Sequence, residues 1–201
     1  INLAEKTYPK VLPHLSSCKS PQGMMSTLVK THFARKLGVT PDMINVVSVM
    51  PCVAKKDEIA RPALMTEHVI NGKKVKLWDT DYVLTTRELA KLIKMKRVPF
   101  NSLKDAKYDA PFGQSTGAAV IFGVTGGVLE AALRTVYEVV VGKEISSPLM
   151  FSAVRGLGVR EATVDLAGTK VNVAIAHGTA NVQHLLKDAM SGKSKYHLIE
   201  I

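Results

Sequence analysis

The chain has few cysteines and few aromatic residues, and both shortages limit what it can be. Cys18 and Cys52 are the only cysteines among 201 residues, too few for a four-cysteine metal site or a disulfide scaffold. Aromatic residues make up 5% of the chain, and no aromatic-interleaved basic stripe for single-stranded nucleic acid is present. The cysteine count excludes a metal site only if residues 1–201 are the whole protein.

Acidic side chains and long hydrophobic runs are also scarce. The 17 Asp and Glu residues are outnumbered by 27 Lys and Arg residues, which gives a formal net charge of +10. The lysines are dispersed, a pattern that favours a solvated surface, or docking of an acidic electron-transfer partner, over nucleic acid. No run approaches the roughly 18 apolar residues of a membrane span, and no signal-peptide core is visible at the start. We therefore expect no nucleic-acid partner, no membrane span and no secretion.

The chain does contain 46% apolar residues, which predicts a folded core. It starts at Ile1 in a pattern typical of a helix already under way, with Leu3, Tyr8, Val11 and Leu12 on one side. It stops at Ile201 in an alternating, strand-like pattern. From these ends we expect an excerpt of a longer domain, so that the cysteine count is a lower limit.

Helix and strand patterns alternate along the chain. Ser20 and Pro21 form a helix-start signal, and the helix is expected to run to Gly38. Residues 44–50 are a short apolar run typical of a strand buried on both faces, and residues 81–85 indicate a second strand.

The remaining predicted elements follow from caps, turns and periodicity: a turn at residues 71–72, a helix after a Thr85–Glu88 capping box, a helix from Val128 to Gly142, a hairpin turning at residues 167–169, and a helix and strand over residues 177–201. Strand, helix and strand in this order give a right-handed parallel unit. The expected fold class is therefore α/β, with parallel or mixed sheets flanked by helices.

Cys52 is the first candidate functional residue. It follows the strand predicted at residues 44–50, and ligands of open parallel sheets bind beyond the carboxyl ends of the strands. Lys55 and Lys56 are close in sequence, and ammonium groups favour the thiolate, the form of cysteine that attacks or binds metal. The alternative is a buried structural cysteine. A nucleophile would need a histidine base, which the sequence does not place near Cys52.

A second candidate is the helix start at Ser20. A helix N-terminus presents unpaired N–H groups and a partial positive charge, so an anionic ligand could bind there. The simpler alternative is that Ser20 only caps the helix.

The glycine-rich segment at residues 113–127 is a weak candidate for nucleotide binding. It has neither the P-loop pattern nor the Rossmann spacing, because no lysine occurs between Lys107 and Lys143 and G-x-G-x-x-G is missing. We expect its glycines to allow a close approach of the backbone to a bulky group.

Five stretches together resemble the catalytic domain of iron-only ([FeFe]) hydrogenases. MPCVAKKDE at residues 50–58 is similar to the MPCxxKxxE signature of that family. The other stretches are LSSCKSPQ (15–22), FGQSTGAAVIFGVTGGVLEAALRT (112–135), AVRGLGVREATV (153–164) and KYHLIEI (195–201). The resemblance implies that residues 1–201 are the central part of a single catalytic domain, with two α/β lobes that face the cofactor site.

The resemblance implies a cofactor, the H-cluster. It is a [4Fe–4S] cubane joined through a cysteine sulfur to a two-iron unit with CO, cyanide and dithiolate ligands. By its motif position, Cys52 would be one of four cysteines that hold the cubane, with one ligand expected just before Ile1 and two just after Ile201. The implied reaction is 2H⁺ + 2e⁻ ⇌ H₂, and the excerpt alone is expected to be inactive.

Several residues match motif positions with implied catalytic roles. Lys55 would donate a hydrogen bond to a cyanide on the iron distal to the cubane. Met50 would pack near the bridging CO, and Ser16 would belong to the proton relay.

Other residues match positions that contact the cofactor without a catalytic role. Ser20, Pro21 and Gln22 match the stretch that contacts the second cyanide. Phe122 would form an apolar wall that excludes water and oxygen. Cys18 would not be a ligand and is expected to be a buried thiol.

The resemblance also implies partners and rivals. Ferredoxin or a similar electron carrier and H-cluster maturation proteins are the expected partners, in the cytoplasm of an anaerobe or in a hydrogenosome. Hydrogenase-like iron–sulfur assembly proteins of the Narf type share the fold without making hydrogen, but generally lack the continuous stretch at residues 115–134, so the sequence favours the hydrogenase. A redox-silent binding module is supported only by the missing ligands.

Overall fold

The computed structural model describes residues 1–146, 149–154 and 158–201. The chain forms two compact units. We call Ile1–Ser16 with Gln114–Ile201 the terminal unit, and Ser17–Gly113 the central unit. The resemblance at residues 153–164 includes residues 155–157, which lie outside the described residues. The prediction of two lobes that face a cofactor stays a prediction.

The helices account for much of both units. They are α1 (Asn2–Thr7), α2 (Pro21–Leu28), α3 (Ala34–Leu37), α4 (Ala54–Ile59), α5 (Thr86–Met95), α6 (Gly117–Ile121), α7 (Gly127–Val141) and α8 (Thr179–Met190), with 3₁₀ turns at Pro9–His14, Pro41–Met43, Pro62–Leu64 and Phe100–Ser102. The predicted first helix is shorter than expected: α1 ends at Thr7 and a 3₁₀ turn begins at Pro9, because proline has no N–H to continue the helical ladder.

The strands of the described residues form three small sheets. They are β1 (Val47–Met50), β2 (Met65–Ile70), β3 (Lys73–Trp78), β4 (Tyr82–Thr85), β5 (Ser152–Val154), β6 (Val159–Leu166), β7 (Thr169–Ala176) and β8 (Leu198–Glu200). In the central unit, β1 pairs with β4 in parallel and β2 pairs with β3 in antiparallel orientation. In the terminal unit the order is β5-β6-β7-β8, and only the β7–β8 pair is parallel. The predicted α/β class with mixed sheets is confirmed.

The terminal unit has a layered apolar core built on β7. Because alternate residues of a strand point to opposite faces, Val173 and Ile175 pack on one face with Leu129 and Leu133 of α7. The opposite face is covered by α8: there Ala174 and Ala176 pack with Val182, Leu185 and Leu186. The predicted hairpin at residues 167–169 and the parallel strand after α8 are both confirmed.

Two glycines at the start of α7 show the close approach that the sequence predicts. A Cβ on Gly126, which has φ of +85°, would overlap the side chain of Ile175, and one on Gly127 would overlap the backbone carbonyl of Ile121. The bulky group that Gly126 accommodates is therefore a side chain of the protein itself.

In the central unit, α2 and α3 belong to one continuous helix. A π-helical segment, Val29–Phe33, joins them, and Gly38 ends the helix in the left-handed conformation with φ of +70°. The predicted start at Ser20 and stop at Gly38 are confirmed.

The prediction for residues 44–50 is only partly right. The strand is shorter, starting at Val47, and it is not buried on both faces: Ser48 is buried, while Val47 and Val49 are 51% and 42% exposed. Because alternate residues of a strand point to opposite faces, the face that carries Val47 and Val49 is open and the face that carries Ser48 is covered. The predicted turn at residues 71–72 is confirmed, with φ of +50° and +76°, and it joins β2 to β3.

Candidate functional site

The candidate site lies in the central unit at the carboxyl end of β1. Met50 is the last residue of β1 and is partly buried, and Pro51 ends the strand. Cys52 follows in the loop before α4 and is exposed. The loop is short because α4 begins at Ala54, which places Lys55 in the first turn of that helix.

The start of α2 is a capped helix terminus. Ser20 has extended backbone angles, its Oγ accepts a hydrogen bond from the N–H of Gly23 at 3.2 Å, and Pro21 occupies the first helical position. The capping role predicted for Ser20 is confirmed.

Gln22 is the unusual residue of this terminus. It lies in the first turn of α2, is only 7% exposed, and its side-chain nitrogen and oxygen have no hydrogen-bond partner among the described residues. A buried amide without partners costs free energy, and such groups are rare in folded proteins. Gln22 therefore marks a place where an additional polar group fits.

A single carboxylate connects the two predicted stretches. Glu58 of α4 accepts a hydrogen bond from the hydroxyl of Ser20 with one oxygen, and its other oxygen lies 2.5 Å from Nζ of Lys55. The side chains of Lys55 and Glu58 are 24% and 22% exposed, so the pair is largely shielded from water. The structure thus brings Ser20 and Lys55 together, although they are 35 positions apart in sequence.

Sequence reasoning assigned Glu58 no role, although a usable signal was present. Lysine and glutamate three residues apart lie on the same face of a helix, so the spacing of Lys55 and Glu58 already indicates a pair. The contact with Ser20 carries no comparable sequence signal.

Two paired lysines hold the helix that follows Ser20: Lys30 is buried and Lys19 is partly buried. Nζ of Lys19 lies 2.6 Å from a carboxylate oxygen of Asp79. Nζ of Lys30 lies 2.8 Å from a carboxylate oxygen of Asp81 and 2.6 Å from the carbonyl oxygen of Trp78. Sequence reasoning missed both pairs, because it interpreted the dispersed lysines as solvated surface charges.

Two further predicted site residues belong to the terminal unit. Ser16 is exposed and Phe122, directly after α6, is 42% exposed; both belong to the terminal unit. The roles predicted for them, and for Met50, stay predictions. The prediction that Cys18 is a buried thiol is wrong: it is exposed, because residues 15–20 form an irregular surface segment between a 3₁₀ turn and α2.

An exposed ion pair connects α4 to α5. Nζ of Lys56 lies 2.7 Å from a carboxylate oxygen of Glu88, whose other oxygen accepts the N–H of Thr85 and completes the predicted capping box. These hydrogen bonds, that of Lys56 above all, lower the pKa of Glu88 to about 2.

Within the ranges 1–146, 149–154 and 158–201, no three His, Cys, Asp or Glu side chains are grouped so that they could hold a metal ion. Cys52 is therefore not grouped with two further metal-binding side chains among these residues. The described part of the chain also contains no helix with the length and apolar character needed to cross a membrane.

Comparisons with known proteins agree with one another. The family described as the iron only hydrogenase large subunit, C-terminal domain, matches residues 1–201. The chain is 50% identical over 198 residues to the periplasmic [Fe] hydrogenase large subunit of Nitratidesulfovibrio vulgaris, covering 98% of this chain and 45% of that protein. It is 34% identical over 197 residues to Protein NAR1 of Arabidopsis thaliana, covering 95% of this chain and 41% of that protein.

A solved structure is similar over the whole chain. An apo [FeFe]-hydrogenase from Chlamydomonas reinhardtii matches with a TM-score of 0.77 and 33% identity, covering 100% of this chain and 56% of that chain. The chain therefore spans about half, or less, of the length of each of these relatives.

Proposed function

Since the chain belongs to the family of the iron only hydrogenase large subunit, C-terminal domain, we propose that it forms part of a catalytic domain that interconverts protons, electrons and H₂. The observation that carries the proposal is the arrangement around Glu58: one carboxylate fixes Lys55 and Ser20 beside the loop of Cys52. The H-cluster would supply the redox chemistry when bound.

The residues present fit such a group. Cys52 offers an exposed thiol, and thiolates are the preferred protein ligands of iron–sulfur clusters. Gln22 has a buried amide without a partner among the described residues, and amide N–H groups suit an anionic ligand such as cyanide. Lys55 adds a positive charge. The other cubane ligands are expected in the parts of the relatives that this chain does not span.

Glu58 has a defined task in this proposal. By holding Nζ of Lys55 and the hydroxyl of Ser20, it orients two polar groups before the cofactor arrives. Preset donors need little reorganisation when a charged ligand binds. We further assign an apolar lining to Met50 and Phe122, contact with the cofactor to Pro21, and proton transfer to Ser16.

Cys52 gives the decisive experiment. In the full-length protein, matured with its cofactor, Cys52→Ala should abolish the EPR signal of the cubane and hydrogen evolution. Cys18→Ala is the matched control, since it removes the other cysteine, which is also exposed, and should retain both the EPR signal and hydrogen evolution. A cubane signal that survives in Cys52→Ala would remove Cys52 from the ligand set.

An iron–sulfur assembly factor without hydrogenase activity is the second candidate function, favoured by the similarity to Protein NAR1. The continuous glycine-rich stretch at residues 115–134 supports the hydrogenase instead. A fully loaded wild-type protein that evolves no hydrogen from reduced methyl viologen would favour the assembly factor.

We propose ferredoxin or a similar carrier as the electron partner, consistent with the net charge of +10 and an acidic carrier. Maturation proteins would install the two-iron unit. For the compartment we propose the cytoplasm of an anaerobe or a hydrogenosome; a periplasmic location, as the name of one relative states for that protein, is the alternative.

A further inference from the structure

Lys19 directly precedes the helix cap Ser20, and its ammonium group makes three hydrogen bonds. Its Nζ lies 2.6 Å from Oδ2 of Asp79, 3.0 Å from Oγ1 of Thr66 and 3.2 Å from Oγ1 of Thr27. An ammonium group has three N–H donors, and these three oxygens account for all of them.

Asp79 is a fixed anchor for this lysine. Its side chain is 2% exposed, and its second oxygen accepts the hydroxyl of Thr66 at 2.6 Å. Thr66 lies in β2 and Asp79 directly follows β3. The partners of Lys19 therefore belong to the hairpin of β2 and β3, an element separate from α2.

The aliphatic part of Lys19 packs on the first turn of α2. A Cβ added to Gly23 would lie 3.1 Å from Cβ of Lys19 and 3.7 Å from its Cδ, so glycine leaves the space that the lysine stem uses. Thr27 brings the next turn of α2 into the same contact. Lys19 thus connects the first two turns of α2, including Gln22, to the hairpin.

Lys30 is a natural comparison. It is buried, with a side chain 3% exposed against 27% for Lys19, and is paired with Asp81. It lies ten residues after Ser20, which is about 15 Å along a helix. Lys30 therefore holds the body of the helix and leaves the capped end to Lys19.

We propose that Lys19 and Asp79 are a positioning pair, which fixes the start of α2 so that Ser20 and Gln22 meet the cofactor in one orientation. That Lys19 fixes the start of α2 rests on its contacts, and that a cofactor binds there rests on the proposed function. Lys19 touches neither cofactor nor substrate in this proposal; it acts through Ser20 and Gln22.

The test compares Lys19→Met with Lys30→Met in the full-length protein. Methionine keeps most of the aliphatic stem and removes the charge. Two quantities are measured: hydrogen exchange of the Gly23 amide in the metal-free protein, and the infrared cyanide bands of the matured protein. Lys19→Met should speed the exchange by about tenfold, because a charged hydrogen-bond network at the first turn is lost, and should shift a cyanide band. Lys30→Met should lower the melting temperature without either local change.

The outcomes separate the two proposals. Equal effects of both variants on Gly23 exchange, or unchanged exchange and unchanged bands in Lys19→Met, would overturn the positioning pair. If Lys19→Met does not fold, Thr66→Val, which removes one hydroxyl shared by Lys19 and Asp79, must show the same changes at smaller size, and no change would overturn the pair. If the wild-type protein shows no cyanide bands while the Gly23 contrast persists, the positioning pair stands and the proposed function fails.

Discussion

The two units bury different kinds of side chain. In the terminal unit the buried residues are apolar and pack on the two faces of β7, with Val173 and Ala174 at 0% exposure. Among the described residues of the central unit, the buried apolar side chains are Ala34, Ile70 and Val83, and the buried polar ones are Gln22, Ser26, Lys30, Ser48, His68, Asp79 and Thr80.

Apolar and charged interiors contribute differently to a protein. Apolar burial stabilises a fold directly, whereas buried charges contribute little net stability even when well paired. The lysine–aspartate pairs of the central unit therefore serve mainly to hold particular groups in place. Most of the predicted site residues, Ser20, Gln22, Cys52 and Lys55 among them, lie in this central unit, while Ser16 and Phe122 lie in the terminal unit.

The largest expected effect comes from breaking a buried pair in the central unit. Asp81→Ala should lower the free energy of unfolding by about 3–5 kcal/mol. It leaves the ammonium of Lys30 with the carbonyl of Trp78, and the N–H of Val46 loses its acceptor at 2.7 Å. Urea unfolding followed by the fluorescence of Trp78 measures it, since Trp78 is the one tryptophan of the 201 residues.

A double variant is the control for this prediction. Replacing the pair with Lys30→Met and Asp81→Leu should recover most of the lost stability, because no unpaired charge remains, while the N–H of Val46 still lacks its acceptor. A double variant as unstable as Asp81→Ala would show that the lost charge pair is not the cause.

A cavity in the apolar core of the terminal unit should lower the free energy of unfolding. Leu185 is 3% exposed and packs on β7, so Leu185→Ala should cost about 3 kcal/mol in the free energy of unfolding. Leu198→Ala is the control, since Leu198 is 45% exposed and should cost less than about 1 kcal/mol. Thermal unfolding followed by circular dichroism compares them. Equal losses would contradict an apolar core centred on β7.

Elements with local signals could be predicted from the sequence. Ser20 and Gly38 bound a helix, and Thr85 with Glu88 caps another, because each signal involves residues at most four positions apart or a single glycine. The hairpin of β2 and β3 was missed apart from its turn, since half of the residues of β3 are lysines, which are depleted in strands.

The burial of the central unit could not be predicted in the same way. Lys30 and Asp81 are 51 positions apart, and a lysine is buried only where the fold supplies acceptors. Val47 and Val49 of β1 were expected to be buried and are exposed, because sequence hydrophobicity does not show which faces of a strand other elements will cover. Within the site, the motif at residues 50–58 identified Cys52 and Lys55, whereas the contact of Glu58 with Ser20 needed the structure.

The smallest expected effect concerns the exposed pair of Lys56 and Glu88, which contrasts with the buried pair of Lys30 and Asp81. Because the pKa of Glu88 is lowered from 4.5 to about 2 in the folded protein, its stabilising contribution is complete above about pH 4.5 and disappears as the pH falls towards 2. Glu88→Gln should therefore be less stable than the wild type at pH 6, and the difference should shrink as the pH is lowered to 2.

The size and cause of this effect can both be checked by urea unfolding at pH 2 to 6. Solvent screens an exposed pair, so the loss in Glu88→Gln should be well below that in Asp81→Ala. Lys56→Met removes the main hydrogen bond that lowers the pKa and should weaken the pH dependence while leaving the Thr85 cap in place. A difference between Glu88→Gln and the wild type that does not change from pH 6 to pH 2 would show that charge at Glu88 does not stabilise the contact of α4 with α5.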